Sequence, residues 1–326
     1  MKRTMYLIAA LVFVLAGSIP AQANTQAKGL KSITFLTNYV FNGRHAPFFV
    51  GLEKGFYRDA GFDIDIKPTT GSGFVITAID GGRADYGMAM LSPVVLGVAR
   101  GAKVKAFMAY TDVTTSGLVA LSPFPTPESL IGKRIAAGQT DSARVVLPII
   151  FDMKGLDSST IDWQAADPSV YISLLMSGRV DLYTASYDSD VPVLRRIVEP
   201  QGRNAYFSSF AEWGYDTYGF VLLGSADADP AEARRFAEAT KRAVEYSIAN
   251  PDEAVRIMVK HNPTMNQDVV TTQWAATIKS MQTPYVAEHG YGAVSIDRIE
   301  RSIALTRQAL NLDAEISPAD LFMSLP

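Results

Sequence analysis

Apolar positions along the chain change period repeatedly. From Phe62 to Lys67 (FDIDIK) they alternate with polar ones, as in a half-buried strand. Just before, Ala46–Asp59 carries them at helical spacing, and Ala60-Gly61 supplies a glycine stop. The succession recurs. Strands are predicted at Ser32–Thr37, Phe62–Lys67, Asp85–Met90 and Val104–Tyr110, with helices at Ala46–Asp59, from Ser72 to about Gly81, and at Pro93–Arg100. Leu118–Leu121 is followed by SPFPTPESLIGKR, a proline-rich stretch that reads as a crossover.

There the pattern restarts. Strands are predicted at Arg134–Ala137, Ile161–Ala165, Asp181–Ala185 and Ala205–Ser208, with helices at Ser142–Met153, Pro168–Ser177 and Val191–Glu199. Tyr218–Leu223 reads as a return to the first block. Pro230 to Leu312 is mainly helical, with proline at the first helical position after Asp229 and Asn250. Alternating β and α elements predict mostly parallel sheets flanked by helices. Two blocks joined by two crossovers predict an α/β chain of two lobes. Lobe 1 is 31–121 plus 219–312, lobe 2 is 122–218, and 313–326 is a C-terminal tail.

The N-terminus changes the picture of where the chain works. MKRTMYLIAALVFVLAGSIPAQAN has a basic start, an apolar run from Tyr6 to Ala16 and an Ala21-Gln22-Ala23 cleavage pattern. It reads as a secretory signal peptide, 1–23, cut after Ala23, and the expected location is periplasmic. Removing Lys2 and Arg3 takes the 30 basic residues to 28 against 33 acidic ones, a net charge of −5. That balance gives no footprint for nucleic acid. Cysteine is absent, which excludes thiolate nucleophiles and zinc–thiolate sites.

In open α/β sheets ligands sit beyond the carboxyl ends of strands. The polar segments there are therefore the candidates: Asn38–His45, Thr70–Gly73, Ser92, Tyr110-Thr111, Thr140–Arg144 and Ser186–Asp190. His45 lies near a helix N-terminus, where the dipole disfavours imidazolium. It either caps that helix or stacks as a neutral ring on a guest. Arg44 and Arg144 are candidate anion readers, or partners in ion pairs. The T-T-G-S-G turn resembles a small anion nest centred on Ser72 and Gly73, without the lysine of a P-loop. Thr140, Asp141 and Ser142 pattern first as an N-cap cluster and second as ligand donors. Tyr187 and Asp188 follow a strand of the second block, Trp213 is a wall or core residue, and Phe48 lies one turn from His45.

These pieces together resemble a known family. Asn38-Tyr39-Val40-Phe41-Asn42-Gly43-Arg44-His45 stands where members carry D-W-x-x-N-x-x-H, and EKGFYRDAGFDIDI follows. Gly71-Ser72-Gly73, the Gly82–Gly87 segment, ESLIGKR and SGRVD match in order, so the likeness spans nearly all of 31–312. The family is that of periplasmic solute-binding proteins of ABC importers related to thiamine-pyrimidine-precursor synthases. The resemblance implies a type II two-lobed binding fold, an inter-lobe cleft, a membrane permease as partner, a monomer, and no cofactor. Its synthase members consume their own histidine and use a cysteine-rich iron motif, which this cysteine-free chain lacks.

Asn38 replaces the family's Asp, and Tyr39 its Trp: an aromatic for stacking is kept, but losing the carboxylate weakens the case for an aminopyrimidine, and an Asn that donates as well as accepts suits a carbonyl-bearing or otherwise oxidised ring. The expected guest is a small planar heteroaromatic, a thiamine-precursor-like pyrimidine, with an aromatic carboxylate or sulfonate as the alternative binder and a periplasmic enzyme as the alternative class. The expected ligand set is Asn38, Tyr39, Asn42, Arg44, His45, Phe48, Ser72, Gly73, Ser92, Thr140, Ser142, Arg144, Tyr187, Asp188 and Trp213. Tyr39 and His45 would sandwich the ring, and Arg44 or Arg144 would take an acidic substituent.

Overall fold

The computed structural model describes residues 29–215 and 217–326; the signal peptide expected at 1–23 lies outside them. The first sheet holds β1 (Lys31–Leu36), β2 (Phe62–Lys67), β3 (Tyr86–Met90), β4 (Val104–Ala109) and β10 (Phe220–Ser225), in the order β2-β1-β3-β10-β4. The second holds β5 (Ser116–Ala120), β6 (Arg134–Ala137), β7 (Asp162–Ala165), β8 (Leu182–Ser186) and β9 (Tyr206–Ser209), in the order β7-β6-β8-β5-β9. β1 pairs in parallel with β2 and β3, and β6 with β7 and β8. Each sheet has one reversed strand, β10 or β5, and each is the strand that follows a crossing between lobes.

The helices of the first half are α1 (Ala46–Glu53), α2 (Phe56–Asp59), α3 (Ser72–Asp80), α4 (Leu91–Ala99), α5 (Ala143–Met153), α6 (Tyr171–Met176) and α7 (Asp190–Val198). The C-terminal part adds α8 (Pro230–Ala249), α9 (Pro251–His261), α10 (Gln267–Met281), α11 (Pro284–His289), α12 (Ile296–Ala309) and α13 (Pro318–Leu321). The helix expected over Ala46–Asp59 is broken at Gly55, whose φ of 75° is left-handed.

The first crossing is not where the sequence suggested. β5 belongs to the second sheet, so the chain changes lobe between Tyr110 and Thr115, and lobe 1 does not run to residue 121. The proline-rich stretch instead forms a 3-10 turn, Pro127–Leu130, between two strands of lobe 2. The real crossing, T-D-V-T-T, carries no proline or glycine to announce it. It is tied to its counterpart. Tyr110 and Thr111 donate their backbone N–H to Phe220 O at 2.8 and 3.1 Å, and Thr111 Oγ1 accepts the Phe220 N–H at 2.9 Å. Gly219 permits this contact, since a Cβ there would lie 2.2 Å from both Thr111 Oγ1 and Val113 O. The two crossings thus form one paired hinge.

Apolar strand faces bury against the helices on either side. Phe35, Phe48, Phe62, Tyr86 and Phe107 pack with Phe236 of α8 in lobe 1, and Ile135, Leu147, Ile150 and Phe151 fill lobe 2. The tail expected at 313–326 is docked rather than loose: Leu321 is fully buried, and Met323 N–H donates to Ala106 O at 2.7 Å on the free edge of β4.

Candidate functional site

The segment leaving β1 is fixed before any guest arrives. Thr37 Oγ1 donates to Tyr39 O at 2.7 Å, and Thr69 Oγ1 to Thr37 O at 2.8 Å. Asn42 then caps the 3-10 turn Gly43–His45, its side-chain oxygen accepting the Arg44 N–H at 3.1 Å. The Asn42 backbone N–H donates to His45 Nδ1 at 3.3 Å. A backbone N–H can only donate, so Nδ1 is bare and the ring proton sits on Nε2. Nε2 in turn lies 3.2 Å from Asn38 Oδ1. Burial first, then the nearby Arg44 charge, holds the imidazole well below its ordinary pKa and keeps it neutral.

His45 therefore does not face a guest. It is fully buried, wedged against Phe41 and Phe48, with both nitrogens engaged. The expected ring sandwich between Tyr39 and His45 does not form. What His45 does is orient Asn38: with Oδ1 taken, the Asn38 NH₂ has no protein acceptor among the described residues.

Arg44 is corrected in the same way. Its Nε donates to Asp188 Oδ2 at 2.8 Å and its Nη2 to Asp188 Oδ1, while the guanidinium carbon stands 4.5 Å over the Phe220 ring. Thr115 and Thr277 complete the cluster. Both charges are out of water, at 1% and 0% exposure. Burial alone raises the Asp188 pKa, but the Arg44 charge and hydrogen bonds outweigh it and hold the carboxyl below the ordinary range. Arg44 follows a lobe 1 strand and Asp188 a lobe 2 strand, so the pair is a dry bridge between lobes, not an anion reader.

Between the lobes lies a cavity of about 40 Å³. Asn38, Tyr39, Arg44, Gly71 and Phe220 come from the lobe 1 side, and Ser142, Thr184, Ser186, Asp141, Asp190 and Phe210 from the other. Asn38, Tyr39, Arg44 and Ser142 of the expected set thus share its lining. Tyr39 reaches across and packs on the lobe 2 apolar cluster. Burial, then Asp190, pushes its phenol pKa well up.

The remaining expectations scatter. Phe48 is core, stacked on Tyr110. Ser92 is buried against the Tyr215 hydroxyl. Trp213 is 4% exposed, packs on Phe124 and Phe210, and donates its indole N–H to Pro125 O at 3.1 Å. Tyr187 is 40% exposed and tilted against Phe207, away from the cavity. Asn42 is a cap. Ser72 bonds Ser142 across the lobes at 3.1 Å and accepts the Met90 N–H. Gly73, Thr140 and Arg144 face a larger open groove of about 610 Å³ on the far side of that contact. Arg144 spends its guanidinium on Gly138 O and Ala137 O and lies over Trp163.

Two carboxylates from the candidate segments reach the cavity although neither stood in the expected ligand set. Asp141 accepts from Thr184 Oγ1 at 2.6 Å and Ala143 N at 2.9 Å; burial raises its pKa. Asp190 opens α7, with Oδ2 accepting from Ser186 N at 2.8 Å and Ser189 Oγ at 2.7 Å. Burial pushes its pKa up to about 6. The only sequence signal for Asp190 was its place after β8.

Two lobes with paired crossings, and polar strand exits meeting in the gap, define the periplasmic-binding-protein fold. The chain belongs to the "NMT1/THI5 like" family, whose model matches residues 42–254. A formylaminopyrimidine-binding protein of Halalkalibacterium halodurans is 21% identical over 309 residues, 90% of each chain. A 4-amino-5-hydroxymethyl-2-methylpyrimidine phosphate synthase of Saccharomyces cerevisiae is 26% identical over 257 residues, 74% of each. The alkanesulfonate-binding protein SsuA of Xanthomonas axonopodis pv. citri, solved with MOPS, superposes with a TM-score of 0.67 at 15% identity, covering 90% of this chain and 99% of that one.

Proposed function

We propose that this chain is the solute-binding component of an ABC importer, exported to the periplasm and working as a monomer, and that it closes on a small aminated pyrimidine. One observation carries the reading: the Asn38 amide and Tyr39 ring from one lobe share a cavity with Asp141 and Asp190 from the other. An amide NH₂ suits a ring nitrogen, a phenol ring suits a flat face, and carboxylates suit amino and ring N–H donors. The named specificity of the Halalkalibacterium relative points the same way.

Other ligand chemistries fare worse in this lining. A carboxylate or sulfonate would meet two acidic side chains, with Arg44 already neutralised by Asp188. The yeast relative suggests a synthase instead, but His45 is locked on both nitrogens and the chain has no cysteine. A cavity of about 40 Å³ is smaller than a pyrimidine, so entry requires the lobes to part about the hinge.

A thermal-shift screen over aminopyrimidines, oxopyrimidines, aromatic acids and alkanesulfonates tests this. An aminopyrimidine at a hundredfold excess over its Kd stabilises the chain by about 2.7 kcal/mol, and sulfonates leave the melting point unchanged. Stabilisation by sulfonates alone would overturn the ligand class. Turnover of the bound pyrimidine would move the protein to the enzymes.

A further inference from the structure

Asp190 stands out among the cavity groups because it is half-used. Oδ2 holds two donors, Ser186 N–H and Ser189 Oγ–H, while Oδ1 has no donor among the described residues. The charged neighbours are committed, while the Tyr183 hydroxyl has no hydrogen-bond partner among the described residues. Arg44 is tied to Asp188 through two nitrogens. Asp141 has a donor on each oxygen. The Tyr39, Tyr171 and Tyr183 phenols, facing Asp190 from the β1 exit, α6 and β8, are all shifted toward staying protonated, burial being the main cause. When the lobes shut, the protein sets against the Asp190 charge only the two donors on Oδ2 and the field of Arg44, itself paired with Asp188, and among the described residues no further offset reaches Oδ1.

We infer that the guest supplies that offset: its ring nitrogen and the Asp190 carboxylate share a single proton in the complex, so capture of a neutral aminopyrimidine from neutral solution takes one proton from solvent. This rests on the aminopyrimidine reading above. The adjacent amino group of such a ring donates alongside the protonated nitrogen, giving a two-point match to a carboxylate. The proton comes from a buffer acid, whose conjugate base stays in solution; no bond of the guest breaks. A ring nitrogen of this type and the Asp190 carboxyl, with its pKa pushed up to about 6, both protonate near neutrality. Linkage then sets the shape. Well above both values the complex must gain a proton, and affinity falls about tenfold per pH unit. Well below both, the free partners together hold two protons, one must leave on binding, and affinity falls again.

Calorimetry with 4-amino-5-hydroxymethyl-2-methylpyrimidine at pH 7.5, in phosphate and in Tris, reads the proton count from the difference in apparent enthalpy. The expected result is uptake of close to one proton by the native chain and close to none by Asp190→Asn, which binds more weakly and without the bell-shaped pH profile. Thermal melts of the unliganded variant check that it folds. Tight binding to the native chain with no proton uptake would overturn the shared proton and leave the pyrimidine reading standing. Unchanged uptake by Asp190→Asn would overturn it too, by placing the proton elsewhere. If neither protein binds any aminopyrimidine, the ligand reading itself fails, and the inference with it.

Discussion

His45 and Asp190 show what single residues contribute and how far they could be read in advance. The order N-G-R-H at a strand exit was legible, and so was its nearness to a gap. Which way each side chain turns was not, because that depends on a cap and a tautomer set three residues away. The two residues also pull stability in opposite directions with pH. His45 stays neutral in the folded chain below its ordinary 6.5, where the unfolded chain takes up a proton, so its slope makes stability rise with pH. Asp190 has a raised pKa. Its contribution is full below the ordinary carboxylate value and is lost as pH rises through about 6. Between about pH 4 and 6 the Asp190 slope opposes the one from His45, so in urea titrations the unliganded native chain should gain less stability with rising pH than Asp190→Asn does. The variant removes the Asp190 slope. Its stability should then climb with pH across that window, by at most about 1.4 kcal/mol per unit. A level profile in the variant would contradict this account.

Elements were easier to read than side chains. FDIDIK falls where its alternation placed it, because one buried face dictates a period of two, while Arg134–Ala137 is the expected strand with both faces buried. The lobe change at residues 110–115 was hidden because mostly β-branched residues cross there without a proline or glycine, whereas the prolines that drew attention serve a turn inside one lobe. The contact between the Thr70–Gly73 and Thr140–Ser142 turns was also invisible, being 70 residues apart in the chain. Gly73 N–H donates to Thr140 O at 3.1 Å, and the Thr70 and Thr140 hydroxyls meet at 3.3 Å. Gly71 has no room for a side chain: a Cβ would stand 2.2 Å from Thr140 O, at a φ of 159°. Gly71→Ala should therefore hold the lobes ajar and weaken ligand binding at least tenfold, with a larger radius of gyration by small-angle scattering. Gly73→Ala, whose nearest contact would be 3.3 Å, should have a much smaller effect. Equal effects of the two would count against this seam as the closing contact.

At the scale of the molecule, the C-terminal helices tie the halves together. α12 packs on α4 of lobe 1 and α5 of lobe 2, and Gln308 Nε2 donates to Asp152 at 2.9 Å. Arg298 and Thr283 both hold Asp112, in the first crossing. The last residues then cover the β4 edge. Ending the chain at 312 should cost about 2 kcal/mol or more, from the burial of Leu321 alone, in a denaturant titration. Because none of the removed residues lines the cavity, ligand affinity should change by less than a few fold. A truncated chain of native stability would show the tail to be ornamental.

The Arg44–Asp188 bridge has one consequence for the habitat such a protein can serve. Mobile ions shield charges that water can reach, and barely touch a pair sealed beneath Phe220. While the lobes stay closed, that clasp should hold as firmly in brine as in rainwater.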